Sequence, residues 1–442
     1  MMHDPLKWRR RLVLLVYNLL LPFVLLVLLP GSILKMRRRG GYGRNFWQRL
    51  GFLGRQLPVT GGPRPFWLHA VSVGEVNVAR KLIREILRRE PERRIVLSTT
   101  TSTGHAVAVR DAPPQVTVIY SPVDFLPVAS RVLRRLQPEK IILVEAEVWP
   151  NLTALAKRRG IPLLLANARL SPRSERRYRR FRWAASTIFS LLDRVLVQFP
   201  EDAARWQGIG VRPGAVILTG SVKYDEPATK TERAVEFRAM LEALWGTPPP
   251  PMFLGASTFP GEEELLGKTL LELRSEFPQL KAVLVPRHFE RSPEVKLQLE
   301  NLGLGVQLRT VSPLQPGADV LLVNTTGELR DWQQIPDVVV IGKSILSTGG
   351  QNPVEAIAAG TPVIAGPHME NFSAVMHLLD DAGAITWLAD AAGLAEALRG
   401  MLRDPDQSRA AALRGRAALE PHRGAARRCA EIVRQFPNDP NG

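Results

Sequence analysis

The chain has 442 residues, with 59 Lys and Arg against 42 Asp and Glu, giving a formal charge of +17 at pH 7. That length accommodates two cores at roughly 100–200 residues per domain, and 45% hydrophobic with 23% charged content is that of a globular protein. A single cysteine, Cys429, excludes an intrachain disulfide and suits a reducing compartment, while the basic balance calls for anionic partners: nucleic acid, membrane phosphates or acidic substrates.

In chain order, the first element is the uncharged run Leu12 to Leu29, bracketed by Arg9–Arg11 and by Lys35 with Arg37–Arg39. It is long enough for a membrane helix and ends in a polybasic stretch rather than a small-residue cleavage site, so an uncleaved anchor is expected over residues 1–36. Pro22 and Pro30 also permit a kinked helix that dips into one leaflet. Basic residues downstream slightly outnumber those upstream, which favours a cytoplasmic body. Arginines 37–39, 44 and 49 are then expected against anionic head groups.

Beyond the anchor, continuous apolar runs alternate with amphipathic segments, the pattern of an α/β protein with parallel sheets. Expected strands in the first half are Phe66–Val71, Ile95–Thr99, Val116–Tyr120, Ile141–Val144, Leu163–Ala166, Val195–Gln198 and Val216–Thr219. Val76–Arg89 and Ser174–Leu192 read as helices between them. The second half repeats the rhythm at Met252–Ala256, Ala282–Val285, Val306–Leu308, Val320–Val323, Val338–Ile341, Pro362–Ala365 and Ile385–Leu388. The break lies at Tyr224–Pro251, where charged residues precede four consecutive prolines. The expected organisation is an anchor at 1–36, a Rossmann-like domain at 37–225, a linker at 226–251, a second Rossmann-like domain at 252–402 and helices at 403–442. Two such domains facing a cleft bind ligands at the carboxyl ends of their strands.

Polar groups at those strand ends are therefore the candidate site. Glu75 closes His69-Ala-Val-Ser-Val-Gly-Glu75 at a helix start, where it is either a general base or a first-turn acid stabilised by the helix dipole. Glu145 and Glu147 follow the fourth strand at i and i+2, close enough to raise at least one pKa, or else one caps the helix from Asn151. Lys223 follows the seventh strand, and Arg287 with His288 follows a strand of the second domain. The turn Asn324-Thr-Thr-Gly-Glu328 offers backbone groups to a base edge. Ser347-Thr-Gly-Gly-Gln-Asn-Pro-Val-Glu-Ala356 joins a glycine-rich turn to a helix start at Pro353, suited to a phosphate, with Glu355 placed either for a ribose diol or for a capping box with Asn352. No P-loop, H-E-x-x-H pair or cysteine cluster occurs, and the one D-x-D spacing, Asp404-Pro-Asp406, lies away from the strand ends. The basic residues are not interleaved with aromatics, so no nucleic-acid partner is expected.

Taken together, these segments resemble the 3-deoxy-D-manno-octulosonic acid (Kdo) transferases of lipopolysaccharide assembly. The resemblance rests on H-A-V-S-V-G-E at 69–75, E-A-E-V-W-P-N at 145–151, A-N-A-R-L-S at 166–171, G-S-V-K-Y-D at 220–225, G-A-S-T at 255–258, P-R-H at 286–288, G-E-L at 327–329 and G-G-Q-N-P-V-E at 349–355. It implies an inverting GT-B glycosyltransferase that uses neither metal nor cofactor. The implied reaction moves Kdo from CMP-Kdo to a tetraacyl lipid A precursor at the cytoplasmic face of the inner membrane. By position, it makes Glu75 the proton acceptor, and Glu145 and Lys223 transition-state stabilisers. Arg287, His288, the turn Thr326, Gly327 and Glu328, and Asn352, Pro353, Val354 and Glu355 become the CMP site. Gln351 and Thr326 stand where many members carry histidine and methionine. The rival readings are another membrane-associated GT-B enzyme using a different nucleotide sugar, and a non-catalytic nucleotide binder.

Overall fold

Strands in this protein are apolar on both faces, which is what a parallel sheet covered by helices on either side demands. The computed structural model describes residues 6–38, 43–54, 63–110, 112–225 and 231–436. The chain divides into two compact units, Met1–Asp225 with Gly424–Gly442, and Glu226–Arg423.

The first unit carries β1 (Phe66–His69), β2 (Ile95–Thr99), β3 (Val116–Tyr120), β4 (Lys140–Val144), β5 (Leu163–Ala168), β6 (Arg194–Val197) and β7 (Val216–Leu218). They form one parallel sheet in the order β3-β2-β1-β4-β5-β6-β7. Its helices are α1 (Lys7–Arg38), α2 (Val73–Arg89), α3 (Ser102–Arg110), α4 (Leu126–Leu136), α5 (Pro150–Arg158), α6 (Pro172–Arg180), α7 (Arg182–Phe189) and α8 (Pro200–Gly208). The single helix expected over Ser174–Leu192 is divided at Phe181, whose backbone leaves helical geometry.

The second unit repeats the plan. It carries β8 (Met252–Thr258), β9 (Lys281–Pro286), β10 (Val306–Leu308), β11 (Val320–Leu322), β12 (Val338–Ile341), β13 (Val363–Ala365) and β14 (Ile385–Trp387). All are parallel, in the order β10-β11-β9-β8-β12-β13-β14. Its helices are α9 (Glu232–Trp245), α10 (Glu262–Leu273), α11 (Ser292–Asn301), α12 (Leu329–Trp332), α13 (Val354–Ala359), α14 (Ser373–Asp381), α15 (Leu394–Arg403) and α16 (Pro405–Leu419). Helix α9 falls inside the stretch read as a linker, whose residues 226–230 lie outside the described residues.

The last helix, α17 (Ala425–Gln435), returns to the first unit. Cys429, Ala430 and Val433 join the core on the α2 side of that sheet. Asp225 accepts from the Gly424 and Ala426 N–H groups at the start of α17. Lys140, almost fully buried on β4, donates to the Val433 and Phe436 carbonyls at its end. Both helix termini thus find partners for backbone groups that have none within the helix.

Among the described residues no helix is long and apolar enough to cross a membrane, so the spanning anchor expected at 1–36 is not found. The reason is visible in α1, whose polar residues face the protein. Tyr17 donates to Asp124, and Asn18 exchanges hydrogen bonds of 2.8 and 3.0 Å with Asn151. A helix held by such bonds at Tyr17 and Asn18 cannot be ringed by hydrocarbon there. Of the arginines expected at head groups, Arg49 donates to the Thr100 carbonyl instead. The side chains of Arg37, Arg38 and Arg44, and all of Arg39, lie outside the described residues.

Candidate active site

In each sheet, strand order reverses beside the first strand of its unit, at β1/β4 and at β8/β12, and crevices at such switch points receive ligands in open α/β sheets. The predicted residues follow the strands at and around these points.

At the first switch point, Ser72 is the N-cap of α2 and accepts from the Glu75 N–H. The Glu75 carboxylate reaches back to accept from Val71 N at 2.8 Å and from the Ser72 hydroxyl at 2.9 Å. This is a capping-box arrangement, so Glu75 has a structural task whatever else it does. It is only 8% exposed. Burial pushes its pKa up, the two hydrogen bonds pull it back, Glu145 raises it further and Lys223 lowers it. Glu145 adopts a left-handed backbone with φ 63°, a strained conformation for a side chain of this type, and its Oε1 lies 2.6 Å from Lys223 Nζ. Glu147 completes the group. Burial first, then the Glu75 and Glu145 charges, push it to about 7. Lys223 faces Glu75 and Glu145, whose charges in turn act on Glu147, and this places a proton that moves near neutral pH inside the site.

Beneath this cluster the structure reveals two residues to which the sequence assigned no role. His69, the first residue of H-A-V-S-V-G-E, is buried and kept neutral, its pKa pushed by burial and by Arg49 down to about 4. Its Nδ1 lies 2.9 and 3.0 Å from the Ser98 and Ser121 hydroxyls, and its ring meets the edge of Trp149. Asp124 caps α5, accepting from Asn151 N at 3.0 Å and Leu152 N at 2.8 Å, and so fixes the helix that follows Glu145 and Glu147. Nothing local marks either residue, because both partners are distant in sequence.

In the second unit, Arg287 and His288 follow β9, both exposed. The His288 ring meets Phe259 edge-on, and the Lys343 ammonium lies 5.0 Å above the same Phe259 ring. Lys343, with φ 57° just after β12, is a cation that sequence reasoning passed over. Thr326 and Gly327 are exposed on their turn, whereas Glu328 accepts from the Thr325 hydroxyl at 2.8 Å at the start of α12.

The glycine-rich turn is shaped by its own packing. A Cβ at Gly350 would stand 2.4 Å from Met369 Sδ, and Gly349 N donates to Glu370. Pro353 precedes α13, Asn352 Oδ1 accepts from Val354 N, and Asn352 Nδ2 donates to Glu355 at 3.3 Å. Asn352 and Glu355 thus touch, but the N-cap position is Pro353 and carries no side-chain capping bond, so the capping box considered from sequence is not formed. Helix α13 spans only six residues, so its dipole alone is a weak anion holder. Arg287, Lys343 and the His288 imidazole belong to the same unit. No group of three or more His, Cys, Asp or Glu able to hold a metal ion occurs among the described residues.

Comparison with known proteins decides the family. Residues 44–226 match the family model described as 3-deoxy-D-manno-octulosonic-acid transferase (kdotransferase). A 3-deoxy-D-manno-octulosonic acid transferase of Bordetella pertussis is 34% identical over 413 residues, covering 91% of this chain and 94% of that protein. The chain belongs to the Kdo transferase family. The Haemophilus influenzae transferase is 30% identical, covering 89% of this chain and 92% of that one. The crystal structure of Anabaena HepE in complex with UDP matches 84% of this chain and 100% of its own, with a TM-score of 0.52 at 14% identity, a likeness of fold. Two parallel-sheet α/β units of the GT-B kind, in a chain of this family, make the protein a Kdo glycosyltransferase.

Proposed function

We propose that this transferase moves Kdo from CMP-Kdo to a hydroxyl of a tetraacyl lipid A precursor at the cytoplasmic face of the inner membrane, with inversion and without a metal ion. The observation that carries the catalytic part is the cluster of buried Glu75 with half-buried Glu145, Glu147 and Lys223 at the β1/β4 switch point.

Departure of CMP leaves an oxocarbenium-like ketosidic carbon and builds negative charge on the phosphate, so donors must already be in place for both. Arg287, His288 and Lys343, with the N–H groups before α13, receive the phosphate. The Thr326-Gly327-Glu328 turn and Asn352–Glu355 hold the nucleoside. Glu75 takes the proton of the acceptor hydroxyl, and its raised pKa makes it a stronger base than an ordinary carboxylate. Glu145, held by Lys223, faces the developing positive charge. A second assignment of the base has one observation in its favour: Glu147, at about 7, is matched to proton transfer at neutral pH.

The test is incubation of the purified protein with CMP-Kdo and lipid A precursor, followed by mass spectrometry of the lipid. The expected product is heavier by Kdo, at a rate unchanged by EDTA. UDP-sugars turning over in place of CMP-Kdo would refute the donor. A large loss in EDTA, restored by magnesium or manganese, would refute catalysis by protein cations alone.

A further inference from the structure

Asn167, within the A-N-A-R-L-S segment, is a polar residue buried in the middle of the first sheet, near the end of β5. Asparagine is disfavoured in strands, and here the backbone turns to φ 53°, a left-handed conformation that Asn tolerates better than most side chains. The pairing of β5 with β6 slips at this point, between Leu165 and Ala168. Such a bulge re-aims a side chain. Asn167 Nδ2 is buried with no hydrogen-bond partner among the described residues, which costs stability. A position that combines a strained backbone with an orphaned amide is held there by another demand.

That demand is visible at Oδ1, which accepts from Val222 N at 2.9 Å. Val222 opens the single helical turn Val222–Tyr224, whose central residue is Lys223. A turn this short is not stable by itself, so its seating comes from outside. Asn167 holds it from β5, and Lys81 holds it from α2, donating to the Val222 and Asp225 carbonyls at 3.3 Å each. Gln198 braces the arrangement: its Nε2 donates to the Asn167 carbonyl at 2.7 Å and its Oε1 accepts from the Ser221 hydroxyl at 2.9 Å. The partner of Lys223 is held from the same place, since Glu145 N donates to the Ala166 carbonyl at 3.0 Å. Both halves of the 2.6 Å Glu145–Lys223 pair are therefore tied to consecutive residues of β5, Ala166 and Asn167.

We propose that Asn167 is a positioning residue for the transfer reaction: together with Lys81 it seats the Val222–Tyr224 turn so that the Lys223 ammonium stands against Glu145. The inference rests on the catalytic roles of Glu145 and Lys223 proposed above, but not on the donor or acceptor assigned there. Glycine separates this role from a purely structural one. It adopts a positive φ without strain, so if Asn167 served only the bulge, Asn167→Gly would behave as the wild type.

The test uses the full chain, with single-turnover Kdo transfer measured against pH, calorimetric titration of CMP and thermal denaturation. Asn167→Gly removes the acceptor for Val222 N, and transfer should fall roughly ten- to hundredfold, the scale set by misplacing a reacting group by about an ångström. CMP affinity should not change, because the groups proposed to bind the nucleotide belong to the other unit. Glu75 is faced by Glu145 and Glu147 from the turn after β4 and by Lys223, and of these the ammonium alone lowers its pKa. A displaced Lys223 should therefore move the rising limb of rate against pH to higher pH, which loss of stability by itself would not do. Lys81→Met keeps the half-buried stem while loosening the same turn, and should give a smaller fall and a shift of the same sign. A wild-type rate and limb in Asn167→Gly, or in Lys81→Met should Asn167→Gly not fold, would overturn the proposal. So would a slower Asn167→Gly whose limb does not move, since that is general loosening. Lys223→Met keeps the two readings apart: at the wild-type rate it removes the catalytic role of Lys223, whereas a slow Lys223→Met beside an unimpaired Asn167→Gly removes only the positioning role.

Discussion

Replacing Glu75 by Gln separates its two tasks. The amide keeps one oxygen to accept from Val71 N, and its NH2 group can donate to the Ser72 hydroxyl, so the cap at the start of α2 survives. The ionised carboxylate is disfavoured where it stands, since burial raises its pKa, and removal of that charge should leave Tm equal to or above that of the wild type. The proposed proton acceptor is lost, however. Transfer should fall by about 10²–10⁴, or about 3–5 kcal/mol in activation free energy, with CMP affinity unchanged because the groups proposed to bind the nucleotide belong to the other unit. The assays are single-turnover transfer followed by mass spectrometry, calorimetric titration of CMP, and thermal denaturation. In the wild type, the rate should rise with pH through the raised Glu75 value, because only the ionised form accepts a proton. A variant that transfers at the wild-type rate refutes the assignment, and a pH limb near 7 that survives Glu75→Gln but vanishes in Glu147→Gln transfers the role to Glu147.

Two further outcomes follow from the geometry. Burial lifts the Asp124 carboxyl from an ordinary 3.8 to about 6 against the pull of its three hydrogen bonds. With the folded value above the unfolded one, its contribution to stability is full below about pH 4 and is lost as pH rises through about 6, an effect of at most about 3 kcal/mol. Asp124→Asn should flatten the dependence of Tm on pH in that window, and a variant with the wild-type slope would refute it. Lys343→Ala should weaken CMP binding roughly ten- to hundredfold in calorimetric titration, as loss of a charged phosphate contact does; unchanged affinity would remove Lys343 from the donor site.

How much was legible in the sequence follows the range of the forces involved. All fourteen expected strands are present, Ile95–Thr99 and Val116–Tyr120 to the residue, because a strand buried on both faces writes itself as a local apolar run. The turn after Val338–Ile341 was likewise readable, and the start of α2 to within three residues, Val73 where Val76 was expected, since caps and glycine turns depend on neighbours within four residues. The family, too, was legible, since its segments are short and contiguous.

What only the tertiary structure decided was the partner of each side chain across the chain. Leu12 to Leu29 scores as an anchor on composition, which does not register that Tyr17 and Asn18 bond to Asp124 and Asn151 more than a hundred residues away. Cys429 and Ala430 read as part of a terminal helix, and only packing assigns them to the core of the first unit. Lys343 and His288 gather about Phe259 because β8, β9 and β12 are adjacent in the sheet, although the residues are far apart in the chain. Propensity, periodicity and capping act over a few residues and can be read from the order of residues alone. Burial, charge pairing and the choice of which helix face turns inward depend on what the rest of the chain brings alongside, and those are set only when the sheets have formed.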